Sequence, residues 1–297
     1  MKRVCYLHVG MMKTGSTTIQ AAFHGYDDGR LRYLPAKHRN HSALLRNVSK
    51  PNPQPHLRVV GQDLTERELE ARVRKDRRRF RKMIARDDHD MIISSEELTS
   101  AFGPPAAERL LSILRTEFDE IRVIGYVREP VAFMTSILQQ RTKLQAPVFE
   151  LGPLYPDYRK QFRKWYREVG PKHVELIPFH RDQLVNSDLL DDFAHRVGAR
   201  VDMITRPPRL NESLSAEAFA VLYEYRQVRG APRASVELAK GNQRVVAALQ
   251  GFGRRPIALD RDDCAAVVER HGDDIAWVEQ RMGVGFPTPP DVPADAW

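Results

Sequence analysis

The chain has 297 residues, 42% of them apolar, which suits a sizeable core in one large α/β domain or two modest ones and excludes a disordered tail or a disulfide-stapled miniprotein. Its 47 Lys and Arg against 39 Asp and Glu give a formal charge of +8, so an anionic ligand is expected: a nucleotide, a nucleic acid, an acidic glycan or a membrane surface. No run approaches about 18 consecutive apolar residues, the opening MKRVCYLHVG is too short and interrupted for a signal segment, and Cys5 and Cys264 lie far apart, so the expectation is a cytoplasmic protein with reduced thiols, nothing to cleave and no membrane span.

In chain order, Arg3 to Val9 is a short apolar run ending at Gly10, which predicts a buried parallel strand feeding a glycine turn, with a helix from Ser16. Residues 26–61 carry His, Asn and Pro without periodicity and read as a long surface excursion. From Thr65 to Arg86 a capping-box start (Thr65, Glu68) and apolar residues at Leu69, Val73, Phe80 and Ile84 predict a basic amphipathic helix. Met91 to Ser95 reads as a strand, PAAERLLSILRTEF as a helix, and Ile121 to Val127 as a strand entering a proline-started helix. Beyond Leu144 the pattern is mainly helical (157–169, 183–197, 215–228, 233–250, 260–282), with one more strand at His173 to Pro178 and an extended tail over 285–297. The alternation of strand and helix predicts a parallel sheet flanked by helices, like that of P-loop nucleoside triphosphate hydrolases, with a mainly helical C-terminal half. No internal repeat or linker divides 1–297, which reads as a single domain.

The segment HVGMMKTGSTTIQ, His8 to Gln20, ends a strand in a glycine loop whose backbone N–H groups and following helix N-terminus point at an anion. Against the nucleotide-triphosphatase pattern GxxxxGK followed by Ser or Thr, Gly10, Gly15 and Thr17 fall into place, but Ser16 stands where the lysine should be and the lysine comes earlier, at Lys13. A second motif, RVIGYVREPVAFMTSILQQ, closes a strand with Arg128 and places Ser136 eight positions on, about two helical turns into the next element. Arg128 offers a fork of donors to a dianion and Ser136 a neutral donor.

The loop KTGST with its shifted lysine, followed by Arg128, Pro130 and Ser136 in that order, resembles the sulfotransferases that use 3'-phosphoadenosine 5'-phosphosulfate (PAPS), and is most similar to their bacterial branch. The resemblance covers the first half of the chain. It implies that Lys13 contacts the oxygen bridging phosphate and sulfate, that Thr14, Gly15, Ser16, Thr17 and Thr18 hold the 5'-phosphate, and that Arg128 and Ser136 hold the 3'-phosphate. It also implies a catalytic base just beyond the middle strand, where MIISSEEL offers Glu96 in the matching position and Glu97 beside it. A carboxylate near a crowded anion site can act as a base toward an alcohol or amine. Ser94 and Ser95 are candidates to touch donor or acceptor. The fragment RLNESLSAEAF resembles a segment that closes over the nucleotide, with Asn211 and Ser213 as its contacts and Ser213 or Ser215 as the helix cap.

Ten histidines form no HExxH pair, and no CxxC pair or calcium loop accompanies them, so no metal is expected. His8 is expected to pack inside, as are Phe162, Trp165 and Tyr166. The implied activity is in-line sulfuryl transfer from PAPS to a small-molecule or glycan acceptor, with a hydroxyl or amine receiving the group and no specific nucleic acid involved. Two other readings stay open: a metal-dependent P-loop kinase, which predicts magnesium dependence, and a noncatalytic protein binding nucleic acid through the basic 65–86 helix, which predicts steep salt dependence.

Overall fold

A computed structural model describes residues 2–51, 65–85, 88–144, 150–208, 213–229 and 244–287. By its internal contacts the chain divides into two compact units: Met1–Val127, Tyr158–Pro208 and Arg281–Gly283 form the first, and Arg128–Asp157, Arg209–Gln280 and Val284–Trp297 the second.

The first unit is built on a parallel five-stranded sheet in the order β2-β3-β1-β4-β5, with β1 Val4–Val9, β2 Leu31–Tyr33, β3 Asp90–Ser95, β4 Glu120–Val127 and β5 Val174–Pro178. β1 lies in the middle, Val9 opposite Ser95 of β3 and His8 opposite Ile124 of β4. Connections leave β1 toward β2 and β3 on one side and reach β4 and β5 on the other, so a crevice is expected outside the carboxyl ends of β1 and β3.

Because β1 is covered on both faces it reads as a continuous apolar run, yet its two faces pack differently. Tyr6, Ile92, Ile124, Tyr126 and Ile177 meet Ile19 and Phe23 of α1 Ser16–Phe23 and Leu190, Phe193 and Val197 of α8 Leu189–Val197. The opposite face receives α7 Tyr158–Val169 through Phe162, and α5 Pro104–Leu114 packs on α7. Gly125 of β4 sits at that close approach. A short helix, α4 Glu97–Ser100, follows β3 directly.

The 26–61 stretch is not a surface excursion over its described residues. It contributes β2, which pairs with β3, and α2 Ser42–Ser49, and it buries Tyr26, Leu31, Tyr33, Leu34, Leu45 and Val48. A three-residue strand and a two-turn helix are too short to show periodicity in sequence; residues 52–61 lie outside the described set. α3 Glu66–Ile84 carries the expected capping box, with the Thr65 N–H donating to Glu68 Oε2 at 2.9 Å, and it packs on α2. The helix expected over 183–197 begins only at Leu189, because Asn186 and Ser187 take left-handed backbone angles; Asp188 then caps it, accepting from the N–H groups of Leu190 and Asp191. Cys5 and Cys264 are free and buried, and burial pushes both thiols up in pKa.

In the second unit α6 Pro130–Leu144 packs against α9 Ala216–Arg229, and Leu214, Ala218 and Leu222 gather with Val245, Val246 and Leu249 of α10, described over 244–249. Gln139 Oε1 accepts from the Leu214 N–H at 3.1 Å. The helix expected over 260–282 is two, α11 Arg261–Arg270 and α12 Gly272–Met282, parted at His271, whose ring stacks on Tyr155 at 3.8 Å. Of the 285–297 tail, 285–287 have no regular structure and the rest lies outside the described residues. Among the described residues no helix is long and apolar enough to cross a membrane.

A methyl group on Gly125 would lie 3.1 Å from Leu176 Cδ2 and from Phe162 Cε1, and 3.3 Å from Val9 Cγ2. Gly125→Ala is therefore expected to cost about 1–3 kcal/mol by overpacking, read as a lower urea midpoint; an unchanged midpoint would contradict this account of the sheet–α7 contact.

Candidate functional site

The loop between β1 and α1 is shaped by steric demand. Lys13 and Gly15 both take positive φ, 64° and 74°, on either side of Thr14. Two left-handed residues in three turn the backbone sharply, the kind of turn that gathers N–H groups into an anion-binding concavity. Gly15 is required twice over, since a Cβ there would also fall 2.3 Å from Leu189 Cδ2. At Gly10 a Cβ would meet Ser16 Oγ at 2.1 Å and Glu96 Cγ at 3.3 Å, so Gly10 lets the Ser16 hydroxyl and the Glu96 side chain close in on the start of the loop.

Within the first unit these observations bring Ser16 and Glu96 together at Gly10, with Lys13 and Gly15 on the same loop. α1 has no side-chain cap and no acid in its first turn, which leaves its positive end open to an anion. The Ser16 hydroxyl is buried and makes no hydrogen bond among the described residues, an unmet donor that an oxyanion would satisfy. Thr17 and Thr18 are exposed on the same turn. Thr14 differs from expectation: its hydroxyl proton goes to the Met11 carbonyl at 2.7 Å, so the side chain braces the loop from inside.

The two glutamates after β3 have separate surroundings. Arg46 of α2 binds Glu97 Oε2 through Nη2 at 2.6 Å and Nε at 3.1 Å, an ion pair that is largely shielded from solvent. Glu96 instead lies against Gly10. Thr99 Oγ1 donates at 3.0 Å to the Gly10 carbonyl and at 3.0 Å to the Glu96 carbonyl, which pins the start of α4 to the loop.

Ser94 and Ser95, the candidates for contact with donor or acceptor, hold their hydroxyls on neighbouring side chains. Both are fully buried, Ser94 Oγ pairing with His8 Nδ1 at 2.8 Å and accepting from Gln20 Nε2 at 3.2 Å, and Ser95 Oγ pairing with Ser42 Oγ at 2.7 Å. His8 packs against Phe193 and Tyr126, as expected of a core residue. His41 Nδ1 accepts the Ser94 N–H at 3.1 Å, which fixes that nitrogen as an acceptor. Burial pushes both imidazoles down to about 3.

Arg128, Ser136 and Ser213 belong to the second unit. Arg128 follows β4 directly; burial pulls its pKa below the ordinary value, and the Glu129 carboxylate opposes that. Glu129 caps α6, accepting from the N–H groups of Val131 at 3.0 Å and Ala132 at 2.7 Å. Ser136 is half-buried on α6. Ser213 is exposed, and the cap of α9 is Ser215, whose Oγ accepts from the Ala218 N–H at 3.0 Å. Asn211 lies outside the described residues.

A feature missed in the sequence is a cavity of about 510 Å³ on the exposed side of α1, lined by Thr17, Gln20 and His24 and by Lys37, His38 and Arg39 from the turn after β2. Its signal was hidden because 37–40 gains meaning only once β2 brings it beside α1.

No protein-family profile matches the chain, and no curated protein matches it. Among solved structures it is similar to a sulfotransferase from Alicyclobacillus acidocaldarius, with a TM-score of 0.44 and 12% identity over 96% of this chain and 98% of that one. It is also similar to the sulfotransferase domain from the curacin biosynthetic pathway, with a TM-score of 0.39 and 12% identity over 97% and 99% of the two chains. A retinol dehydratase in complex with androsterone and the inactive cofactor PAP follows, with a TM-score of 0.30 and 12% identity over 97% and 83%.

The buried histidines set an acid limit. Their folded pKa of about 3 lies below the ordinary 6.5, so their contribution to stability is present above pH 6.5 and is lost as pH falls toward 3. Between pH 7 and pH 5 each costs about 2 kcal/mol. His41→Asn keeps an acceptor for the Ser94 N–H and removes one titration; urea midpoints at the two pH values should draw closer by that amount, and an unaltered pH dependence would refute neutral burial of His41.

Proposed function

We propose that the chain moves a sulfuryl group from PAPS to a hydroxyl or amine of an acceptor, a carbohydrate or glycoconjugate. The observation that carries this reading is the loop itself: a lysine placed ahead of the glycine, in left-handed conformation, beside an unmet buried Ser16 hydroxyl and with Glu96 against Gly10. A triphosphatase loop would put the lysine at position 16.

The donor supplies an activated sulfuryl group on a phosphosulfate anhydride. Gly15, Ser16, Thr17 and Thr18 bind its 5'-phosphate with backbone and hydroxyl donors, and Thr14 holds the loop in shape while offering its N–H. Lys13 places an ammonium where negative charge grows on the leaving phosphate, an electrostatic role that needs no rearrangement during the reaction. Glu96 accepts the acceptor's proton. Arg128, with Ser136, recognises the 3'-phosphate by charge-assisted bonds, and Asn211 and Ser213 contribute to nucleotide binding. The cavity beside α1, polar and cationic, receives the acceptor. No metal ion takes part in this scheme, and the reaction belongs in the cytoplasm.

Calorimetry with 3',5'-bisphosphoadenosine, 5'-AMP and ATP tests the nucleotide assignment. The bisphosphate should bind tightest, and Arg128→Ala should erase that preference with a loss of about 10-fold to 100-fold; equal affinity for the three nucleotides would overturn the reading. With an accepted substrate in hand, Glu96→Gln should lower kcat by about 100-fold or more while Glu97→Gln acts mainly on stability. Transfer should persist in EDTA, where a magnesium-dependent kinase would stop.

A further inference from the structure

Away from the loop, the first unit holds a second cavity, of about 530 Å³, between the Thr99–Pro104 segment and one face of α7. That face presents Arg159, Lys160, Arg163, Lys164 and Arg167, and the lining contains no carboxylate. Positions 159, 163 and 167, like 160 and 164, are spaced four apart, so like charges stand one above another along the helix. Arg167 is paired with Glu168 at 2.9 Å, but Arg163 is exposed and makes no hydrogen bond or ion pair among the described residues.

Lys164 is the more telling group. It is 6% exposed, and its one hydrogen-bond acceptor among the described residues is the Thr99 carbonyl, at 2.7 Å. A buried ammonium with a single neutral acceptor and the Trp165 ring 5.7 Å away is only partly compensated. Burial draws its pKa down to about 8, and the facing Thr99–Pro104 segment carries no titratable side chain to offset this. The other charged residues of the lining, Arg159, Lys160, Arg163 and Arg167, are all positive, and the Glu168 carboxylate, one turn on in the same helix, is held by Arg167.

We infer that this cavity is an oxyanion site separate from the phosphate loop, built to take a sulfate or phosphate group, free or as a monoester, between the arginine forks of α7 and the Lys164 ammonium. Arginine suits the planar, multidentate recognition of such groups, and the buried lysine supplies a point charge at the closed end. The site touches the loop through one residue: Thr99 accepts from Lys164 with its carbonyl and donates with its hydroxyl to the carbonyls of Gly10 and Glu96.

The test is titration calorimetry of the full chain at pH 8 with inorganic sulfate, repeated with glucose 6-sulfate and with glucose as the neutral control. Lys13→Ala isolates this site from the loop. In that background sulfate should still bind, with affinity at least tenfold weaker after Arg159→Ala with Arg163→Ala; both residues are exposed, and circular dichroism checks that the fold persists. A monoester that binds more tightly than inorganic sulfate identifies an ester as the ligand, whereas equal affinities identify the free anion. Because Lys164 is about half charged at pH 8, sulfate binding should take up about half a proton, read from the dependence of heat on buffer ionisation; Lys164→Arg should keep binding and abolish the uptake. Sulfate binding that is indifferent to the two arginines, or absent in the Lys13→Ala background, overturns the inference.

Discussion

Crowding at Gly10 is the constraint on which the end of the sheet depends. With Ser16 Oγ 2.1 Å from where a side chain would begin, any residue larger than glycine would push the hydroxyl, the loop and the Glu96 side chain apart at once. Gly15 repeats the demand from the other side, wedged against Leu189 of α8. The backbone between these points therefore has little choice of path, and its left-handed residues are held by packing, as strain at such a position requires.

Behind the loop, the carboxyl ends of β1 and β3 bury an unusual amount of polarity. His8, Gln20, His41, Ser42, Ser94 and Ser95 are all shielded from solvent and joined by hydrogen bonds. The match is incomplete, since the Nε2 atoms of His8 and His41 are buried with no hydrogen-bond partner among the described residues, but the bonds that are made fix the relative placement of the strand ends. Arg46 and Thr99 extend this order outward, one holding Glu97 and the other tying α4 to the loop, so the two adjacent glutamates are steered apart.

Much of this was legible in the residues. The strands β1, β3, β4 and β5 announced themselves as short apolar runs ending at turn residues, α3 by its cap and spacing, and the loop by its glycines. β2 and α2 were not legible, since LRY alone has no pattern and the burial of Tyr26, Leu45 and Val48 follows from tertiary pairing with β3 and α3. Glu96 and Glu97 are indistinguishable as neighbours in sequence; Arg46, 51 positions upstream of Glu97, separates them. Likewise Ser94 and Ser95 read as ligands because they end a strand at the right place, and only the inward register with His8, Gln20 and Ser42 turns them into structure. In α7 the sequence pattern marks Phe162, Trp165 and Tyr166 as core packing; Phe162 and Trp165 are fully buried and Tyr166 is half-buried, and that pattern is silent about the cationic side of the helix.

The outer strands carry a further consequence. β2 has three residues and β5 five, the latter ending in Pro178, which has no N–H to offer. An apolar parallel sheet with long bare margins would invite a neighbouring chain to add a strand, and these margins are too short and interrupted to serve as a template. The same brevity that hid β2 from sequence patterns thus makes that margin of the sheet a poor template for strand addition.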